Sequence, residues 1–150
     1  MFDTVFGLPV HVLVVHAVVV LLPLMALVTM VIAFVPRWRA RVAWLVVAAD
    51  VAMVVVTVVA RQSGEALQRR LGGQIAAEHA AMGKDLVWFA LGLLAASVLV
   101  ALTRDARGGS PRLAAALTFV AAALVTWWTI RVGHTGADAV WKGIIAGTPR

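Results

Sequence analysis

The sequence contains no cysteine and no tyrosine, and it is poor in charged residues. Without cysteine there can be no disulfides, no thiolate metal sites and no covalently attached c-type haem. Only 13% of the 150 residues are charged and 63% are hydrophobic, whereas an average soluble domain is about half apolar and about a quarter charged. A soluble globule of this size cannot hide so much apolar surface, so the excess must face lipid. The composition excludes a cytoplasmic enzyme, a nucleic-acid-binding protein and a disordered chain.

Four apolar runs account for most of the chain, at residues 10–35, 42–60, 86–102 and 113–130. Each is long enough for a membrane-spanning helix, which needs about 17–25 residues. The links after the first and third runs are short, so we expect two antiparallel helical hairpins within a single domain, residues 1–150. No internal repeat is evident beyond this plan. The sequence therefore predicts an all-α integral membrane four-helix bundle.

The longer link between the second and third runs carries an amphipathic pattern, with apolar residues recurring every three or four positions. We expect a short amphipathic helix near Glu65–Leu71 and a second helical stretch from about Gln74 into the third span. Ser63-Gly64 predicts a stop after the second helix, with glycine as the left-handed cap. Gly133 and Gly136 predict a tight turn after the fourth.

The basic residues set the expected orientation. Both short links are densely basic, whereas a similar number of lysines and arginines is spread over a longer stretch on the other side. Density favours the short links as cytoplasmic, which places both termini outside the cytoplasm. We therefore expect a multi-pass protein of the bacterial inner membrane, with the lipid bilayer as its first partner and no nucleic acid.

The chain has four histidines, and the alternation of the spans places all four at one membrane face. His11 and His16 begin the first run, His79 precedes the third, and His134 follows the fourth. His16 lies about 7.5 Å deeper than His11 along a helix and is turned by about 140°, so the two rings cannot point along one stripe. We expect one to face the bundle core and the other a neighbour or the membrane interface.

Histidines gathered at one face suit several kinds of chemistry. Two imidazoles from different helices can be the axial ligands of a b-type haem. Three or four at one level, here His11, His16, His79 and His134, can instead bind zinc, copper or iron. Imidazoles can also relay protons, and each of these could simply be hydrogen-bonded at a helix end. In the haem hypothesis His16 pairs with His79 or His134, His11 supports a propionate or a metal, and Arg131 can pair with a propionate.

The second run contains one acidic residue, Asp50, about midway along its length. A charge at that depth costs at least ~2.5–3.5 kcal/mol, so Asp50 is expected to be protonated, paired or facing a wet cavity. Two interpretations stay open. Asp50 is a proton-relay residue working with His16, or it is a neutral carboxyl bonded to a hydroxyl such as that of Thr29, Ser97 or Thr118.

These residues resemble a bacterial membrane family known as domain of unknown function 2231. Its members open with Gly-Leu-Pro-x-His-x-x-x-x-His, carry Ser-Gly after the second helix and His before the third, and end with His-x-Gly. The matching positions here are Gly7-Leu8-Pro9-Val10-His11, His16, Ser63-Gly64, His79 and His134-Thr135-Gly136. The resemblance implies a four-helix membrane protein. Because some members are fused to Rieske or cytochrome modules, it also implies a redox setting.

Three hypotheses follow, and none assigns a catalytic residue. The first is a small redox or metal-binding subunit that carries haem b or a histidine-ligated transition metal and works with a respiratory or redox partner in the membrane. The second is a proton-coupled carrier or channel subunit using Asp50 and His16, which needs a homo-oligomer because the chain is small. The third is a structural accessory subunit without a cofactor. Electron transfer or an accessory role is favoured over an independent enzyme.

Overall fold

The computed structural model describes residues 4–5, 8–70, 76–106 and 108–146. These residues form four helices, α1 (Val10–Phe34), α2 (Pro36–Arg70), α3 (Ala77–Leu102) and α4 (Gly109–Ala146). Ahead of α1, two strands of two residues each, β1 (Thr4–Val5) and β2 (Leu8–Pro9), pair antiparallel. All four helices are long and apolar enough to cross a membrane. The predicted four-helix membrane bundle is confirmed, with the strand pair as an addition.

Proline sets the boundary between α1 and α2. The pyrrolidine ring disfavours helical geometry in the residue before it, and Val35 is accordingly extended, with φ −105° and ψ 97°. Pro36 then begins α2, where its missing N–H leaves no intrahelical bond unmade. The connection is therefore a single residue, and α1 and α2 form a tight antiparallel hairpin.

The four helices form a closed ring in which each packs against two neighbours. The neighbouring pairs are α1 with α2, α2 with α3, α3 with α4, and α4 with α1. The helices α1 and α3 lie on a diagonal of this ring and make few contacts. Because successive helices alternate in direction, α1 and α3 start at the same end of the bundle. We call this the histidine end, since it carries His11 and His79.

Apolar residues lie both inside and outside the bundle, as expected for a protein surrounded by lipid. Leu22, Leu93 and Val125 are at most 1% exposed and belong to the central core cluster. On the outer surface, Leu45 and Trp88 are each 70% exposed. Such large apolar side chains face outward on every helix, so the bundle's surroundings are apolar.

Two details of the sequence-based prediction are wrong, both at the histidine end. Ser63-Gly64 does not stop α2, which continues without a break to Arg70. The residues expected to form a separate amphipathic helix therefore extend α2, and the last of them, Leu71, lies outside the described residues. Gly133 and Gly136 make no turn either, because α4 continues to Ala146. In each case the glycine serves a contact with a histidine ring or a neighbouring helix and leaves the backbone helical.

Candidate histidine site

His11 is fixed against α2 by its Nδ1 atom. Nδ1 lies 3.0 Å from the backbone carbonyl oxygen of Ala60. A carbonyl can only accept, so Nδ1 carries the proton and donates, and the lone pair of the neutral ring is left on Nε2. The hydroxyl of Ser63 donates to the same carbonyl at 3.0 Å and lies 3.4 Å from Nδ1. The second helix therefore sets both the position and the tautomer of this imidazole.

Gly64 provides the space that the His11 ring occupies. A Cβ atom built on Gly64 would lie 2.9 Å from His11 Cε1 and 3.1 Å from Nδ1. Any side chain at this position would overlap the imidazole, so the ring packs directly on the helix backbone. Ser63-Gly64 is thus a docking surface for His11.

His79 is held by α4 in the same way. Its Nδ1 donates to the carbonyl oxygen of Val132 at 3.0 Å. The hydroxyl of Thr135 donates to that carbonyl at 3.0 Å and lies 3.5 Å from Nδ1. A Cβ built on Gly136 would lie 3.0 Å from His79 Cε1. The two hairpins therefore contain the same docking arrangement.

This equivalence reveals an internal repeat that was missed in the sequence. Each half carries Thr-x-x-x-x-x-Ser/Thr-Gly near the end of its second helix, and the first threonine donates to the carbonyl four residues earlier, at 2.7 Å in both halves. A comparison of the two halves, made helix by helix, would have found it. The matching residues are Thr57, Ser63 and Gly64 in α2 with Thr129, Thr135 and Gly136 in α4, and His11 and Thr29 in α1 with His79 and Ser97 in α3.

The two docked imidazoles meet across the diagonal of the bundle. The ring centroids of His11 and His79 are 6.2 Å apart, and the ring planes are inclined by 68°. Both residues are half-buried. We refer to His11 and His79 together as the histidine pair. Each ring has its Nδ1 turned to its own hairpin, so the two imidazoles are held in equivalent ways at one end of the bundle.

The other two histidines lie outside this pair. His16 is exposed on the outer face of α1, and its Nδ1 donates to the carbonyl of Val12 one turn earlier. The side chain of His134 is 76% exposed, with Nε2 4.0 Å from Asp138 Oδ2. The expectation that His11 and His16 point in different directions is confirmed. Among the described residues, no group of three or more His, Asp or Glu is arranged to hold a metal ion.

A cleft of about 600 Å³ opens beside His79, between the start of α3 and the end of α4. The Arg131 guanidinium carbon lies on one wall, 5.8 Å from the centre of the Trp127 ring. The polar residues that line the cleft are Glu78, His79, Arg131, His134, Thr135 and Asp138. Three of the residues predicted to bind a cofactor, His79, Arg131 and His134, are thus brought to one cavity, whereas His11 and His16 do not line it.

Asp50 lies in the interior of the bundle and does not contact His16. It is 1% exposed, and Thr29 Oγ1 donates to its Oδ2 at 3.1 Å. The predicted hydrogen bond to Thr29 is therefore confirmed, whereas Thr118 donates its hydroxyl to its own helix, at the carbonyl of Ala114.

Comparison with known proteins returned one family. Residues 7–149 match the model of a family designated DUF2231 and described as a predicted membrane protein. No curated protein and no solved structure matches the chain. The match covers nearly all of the sequence, including the histidine pair and both docking glycines, and it confirms the resemblance based on the histidine motifs.

Proposed function

The chain therefore belongs to the DUF2231 family of predicted membrane proteins, and we propose that its histidine pair supplies the two axial ligands of a b-type haem. In this proposal His11, rather than His16, is the partner of His79. The protein is then a small electron-transfer subunit of a bacterial inner membrane. The observation that carries the proposal is the spacing of the two rings.

The spacing suits two ligands on opposite sides of one metal. An imidazole nitrogen binds a metal at about 2.0–2.1 Å, so two imidazoles in line through the ion have centroids roughly 6 Å apart. Two imidazoles on a tetrahedral ion would come closer, with centroids roughly 5 Å apart. The observed separation is 6.2 Å. A closed zinc site needs four protein ligands, whereas a haem would need only two, and His11 and His79 would hold it.

The hydrogen bonds at Nδ1 also suit metal ligation. A histidine that binds a metal almost always donates its other ring N–H to a carbonyl, a carboxylate or a water, which fixes the ring and makes the ligating nitrogen more basic. His11 and His79 both donate from Nδ1 to a backbone carbonyl at 3.0 Å. In the neutral form of each ring, this hydrogen bond places the lone pair on Nε2, where it can bind a metal.

The cleft beside His79 supports the same proposal. Its volume of about 600 Å³ lies within the ordinary range for cofactor sites, and His79 forms part of its wall. Arg131 on the same wall is placed to pair with an anionic propionate group. When bound, a haem supplies one-electron redox chemistry. The chain's own residues position the two ligands, neutralise the propionate and shield the site with the bundle.

The orientation and partner belong to this proposal as well. The dense arginines of the short links favour the cytoplasm, so the histidine end would lie at the extracytoplasmic face. A protein that only transfers electrons needs a donor and an acceptor, so we propose a redox partner in the same membrane.

The test is an absorbance spectrum of the purified protein in detergent, before and after reduction with dithionite, from cells with ample haem. A Soret band with sharp reduced α and β bands is expected for the wild type. The bands should be lost in His11→Ala and His79→Ala, and kept in the matched controls His16→Ala and His134→Ala, whose rings are exposed.

Other results would contradict the proposal in distinct ways. A wild-type spectrum without visible bands removes haem, and metal analysis then shows whether the pair holds a colourless ion. Bands that survive His11→Ala but vanish in His16→Ala would return the axial role to His16.

A further inference from the structure

A second polar site lies inside the bundle, around Asp50. This side chain is 1% exposed, and one of its oxygens, Oδ2, accepts a hydrogen bond from Thr29 at 3.1 Å. The other oxygen, Oδ1, is fully buried and has no hydrogen-bond partner among the described residues. Burying a carboxylate oxygen without a hydrogen bond costs free energy at this depth. We therefore expect a bound proton or ion against Oδ1.

The hydroxyl groups near Asp50 make their hydrogen bonds at atoms other than Oδ1. A hydroxyl carries a single donor proton. Thr29 donates its proton to Oδ2, and Ser97, which also interacts with the Asp50 carboxyl, donates its proton to the carbonyl of Leu94 at 2.9 Å. The oxygens of Asp50, Thr29 and Ser97 therefore present lone pairs and no free donor. A site of this kind attracts a cation and repels an anion.

Asp50 also breaks the repeat that relates the two hairpins. Its equivalent in α4 is Ala122, while its partner Thr29 corresponds to Ser97. One carboxyl group thus stands beside two equivalent hydroxyls from the diagonal helices α1 and α3. If this position only had to fill space in the core, an apolar residue would be enough, as Ala122 is in α4.

The site is separate from the histidine pair. On α1 and α3 the core residues Leu22 and Leu93 lie between the hydroxyl-bearing residues and the histidines, and both are 1% exposed. No other titratable side chain of the described residues is buried beside Asp50. The buried residues of α4 are uncharged, and the nearest buried charge is Arg39, about three turns away on α2, whose guanidinium lies 3.5 Å from the carbonyl of Ala33.

We infer that Asp50, Thr29 and Ser97 form a buried binding site for a small monovalent cation, either a proton or Na⁺, held at Asp50 Oδ1. The site does not depend on the proposed haem, because the apolar core separates the two. It gives the bundle a cation-dependent stability that the isosteric Asp50→Asn variant lacks.

The test measures thermal unfolding of the full-length protein in detergent, in NaCl or choline chloride of equal ionic strength, from about pH 5 to about pH 9. If Na⁺ is the occupant, the wild-type Tm rises with NaCl at alkaline pH and then saturates. If a proton is the occupant, Na⁺ has no effect and the wild-type Tm falls relative to Asp50→Asn as the pH rises. Thr118→Val removes a buried hydroxyl that does not contact Asp50, so it should behave as the wild type.

Identical responses of wild type and Asp50→Asn to both pH and Na⁺ would overturn the inference. If Asp50→Asn fails to fold, infrared spectroscopy of the wild type gives the answer. Above neutral pH the surface carboxyls are ionised, so a remaining band of protonated carboxyl reports Asp50. Loss of this band on raising the pH or adding Na⁺ supports the site. A band that responds to neither shows a carboxyl that never releases its proton, so Asp50 does not bind and release a cation and the inference is contradicted.

Discussion

Replacement of Gly64 by alanine tests the docking of the histidine pair most sharply. In an unobstructed helix, glycine is about 0.8–1.0 kcal/mol less favourable than alanine, so the change alone would stabilise α2. At Gly64 the new methyl carbon would lie 2.9 Å from His11 Cε1, inside van der Waals contact. The contacting atom belongs to a ring fixed by its hydrogen bond to Ala60, so the clash cannot be relieved by a flexible chain end.

The expected loss follows from these opposing effects. Overpacking of a well-packed interior costs about 1–3 kcal/mol, and displacement of the ring gives up a hydrogen bond worth about 0.5–1.5 kcal/mol. When the gain in helix propensity is subtracted from these two costs, Gly64→Ala should be less stable than the wild type by about 1–3 kcal/mol. For a chain of this size each kcal/mol lowers the Tm by about 2–4 °C.

The matched control is Gly92→Ala on α3. An added Cβ there meets nothing within 4 Å, so this variant should keep or slightly raise the wild-type Tm. Gly136→Ala should have a lowered Tm, as Gly64→Ala does, because its Cβ would lie 3.0 Å from His79 Cε1. Thermal unfolding in detergent compares the three. If Gly64→Ala is as stable as Gly92→Ala, the docking of His11 on the backbone of α2 is refuted.

Two further predictions concern single hydrogen bonds. Thr29→Val keeps the shape of the side chain but removes the hydroxyl that donates to Asp50 Oδ2. The free energy of unfolding, measured by denaturant titration, should fall by about 1–3 kcal/mol. An unchanged free energy of unfolding would show that this hydrogen bond contributes nothing. Trp128→Phe keeps an aromatic ring against Phe89, whose centroid is 4.8 Å away, but loses the indole N–H donated to the carbonyl of Met82 at 3.0 Å. Its cost should be about 1 kcal/mol, and Trp128→Leu, which also loses the stacking, should cost about 0.5–1.5 kcal/mol more in the same assay.

Hydropathy predicted the number and type of the helices but underestimated the length of three of them, α2, α3 and α4. The second run was predicted to end at residue 60, whereas α2 continues to Arg70, and the fourth was predicted to end at residue 130, whereas α4 continues to Ala146. Apolar runs report only the part of a helix that lies in hydrocarbon. Backbone hydrogen bonding carries the helix further, into a region where polar side chains are tolerated.

The histidine pair could be predicted only in part. The sequence placed four histidines at one end and showed that His11 and His16 point in different directions, but not which of them faces inward. Gly64 was interpreted as a helix cap, because glycine after an apolar run usually has that role. Its function as a contact surface depends on a ring from another helix, which no local pattern shows. The repeat of Thr57, Ser63 and Gly64 in α4 is the sequence signal for it.

Electron paramagnetic resonance of the oxidised wild-type protein tests the central claim most directly, because it reports the ligands of a ferric haem and the angle between them. Two imidazole ligands make the iron low-spin. The planes of His11 and His79 are inclined by 68°. A haem held by both rings at this inclination would give the strongly anisotropic low-spin signal of steeply inclined imidazole ligands. A high-spin haem signal, or purified protein without any haem signal, would contradict the assignment of the histidine pair as axial ligands.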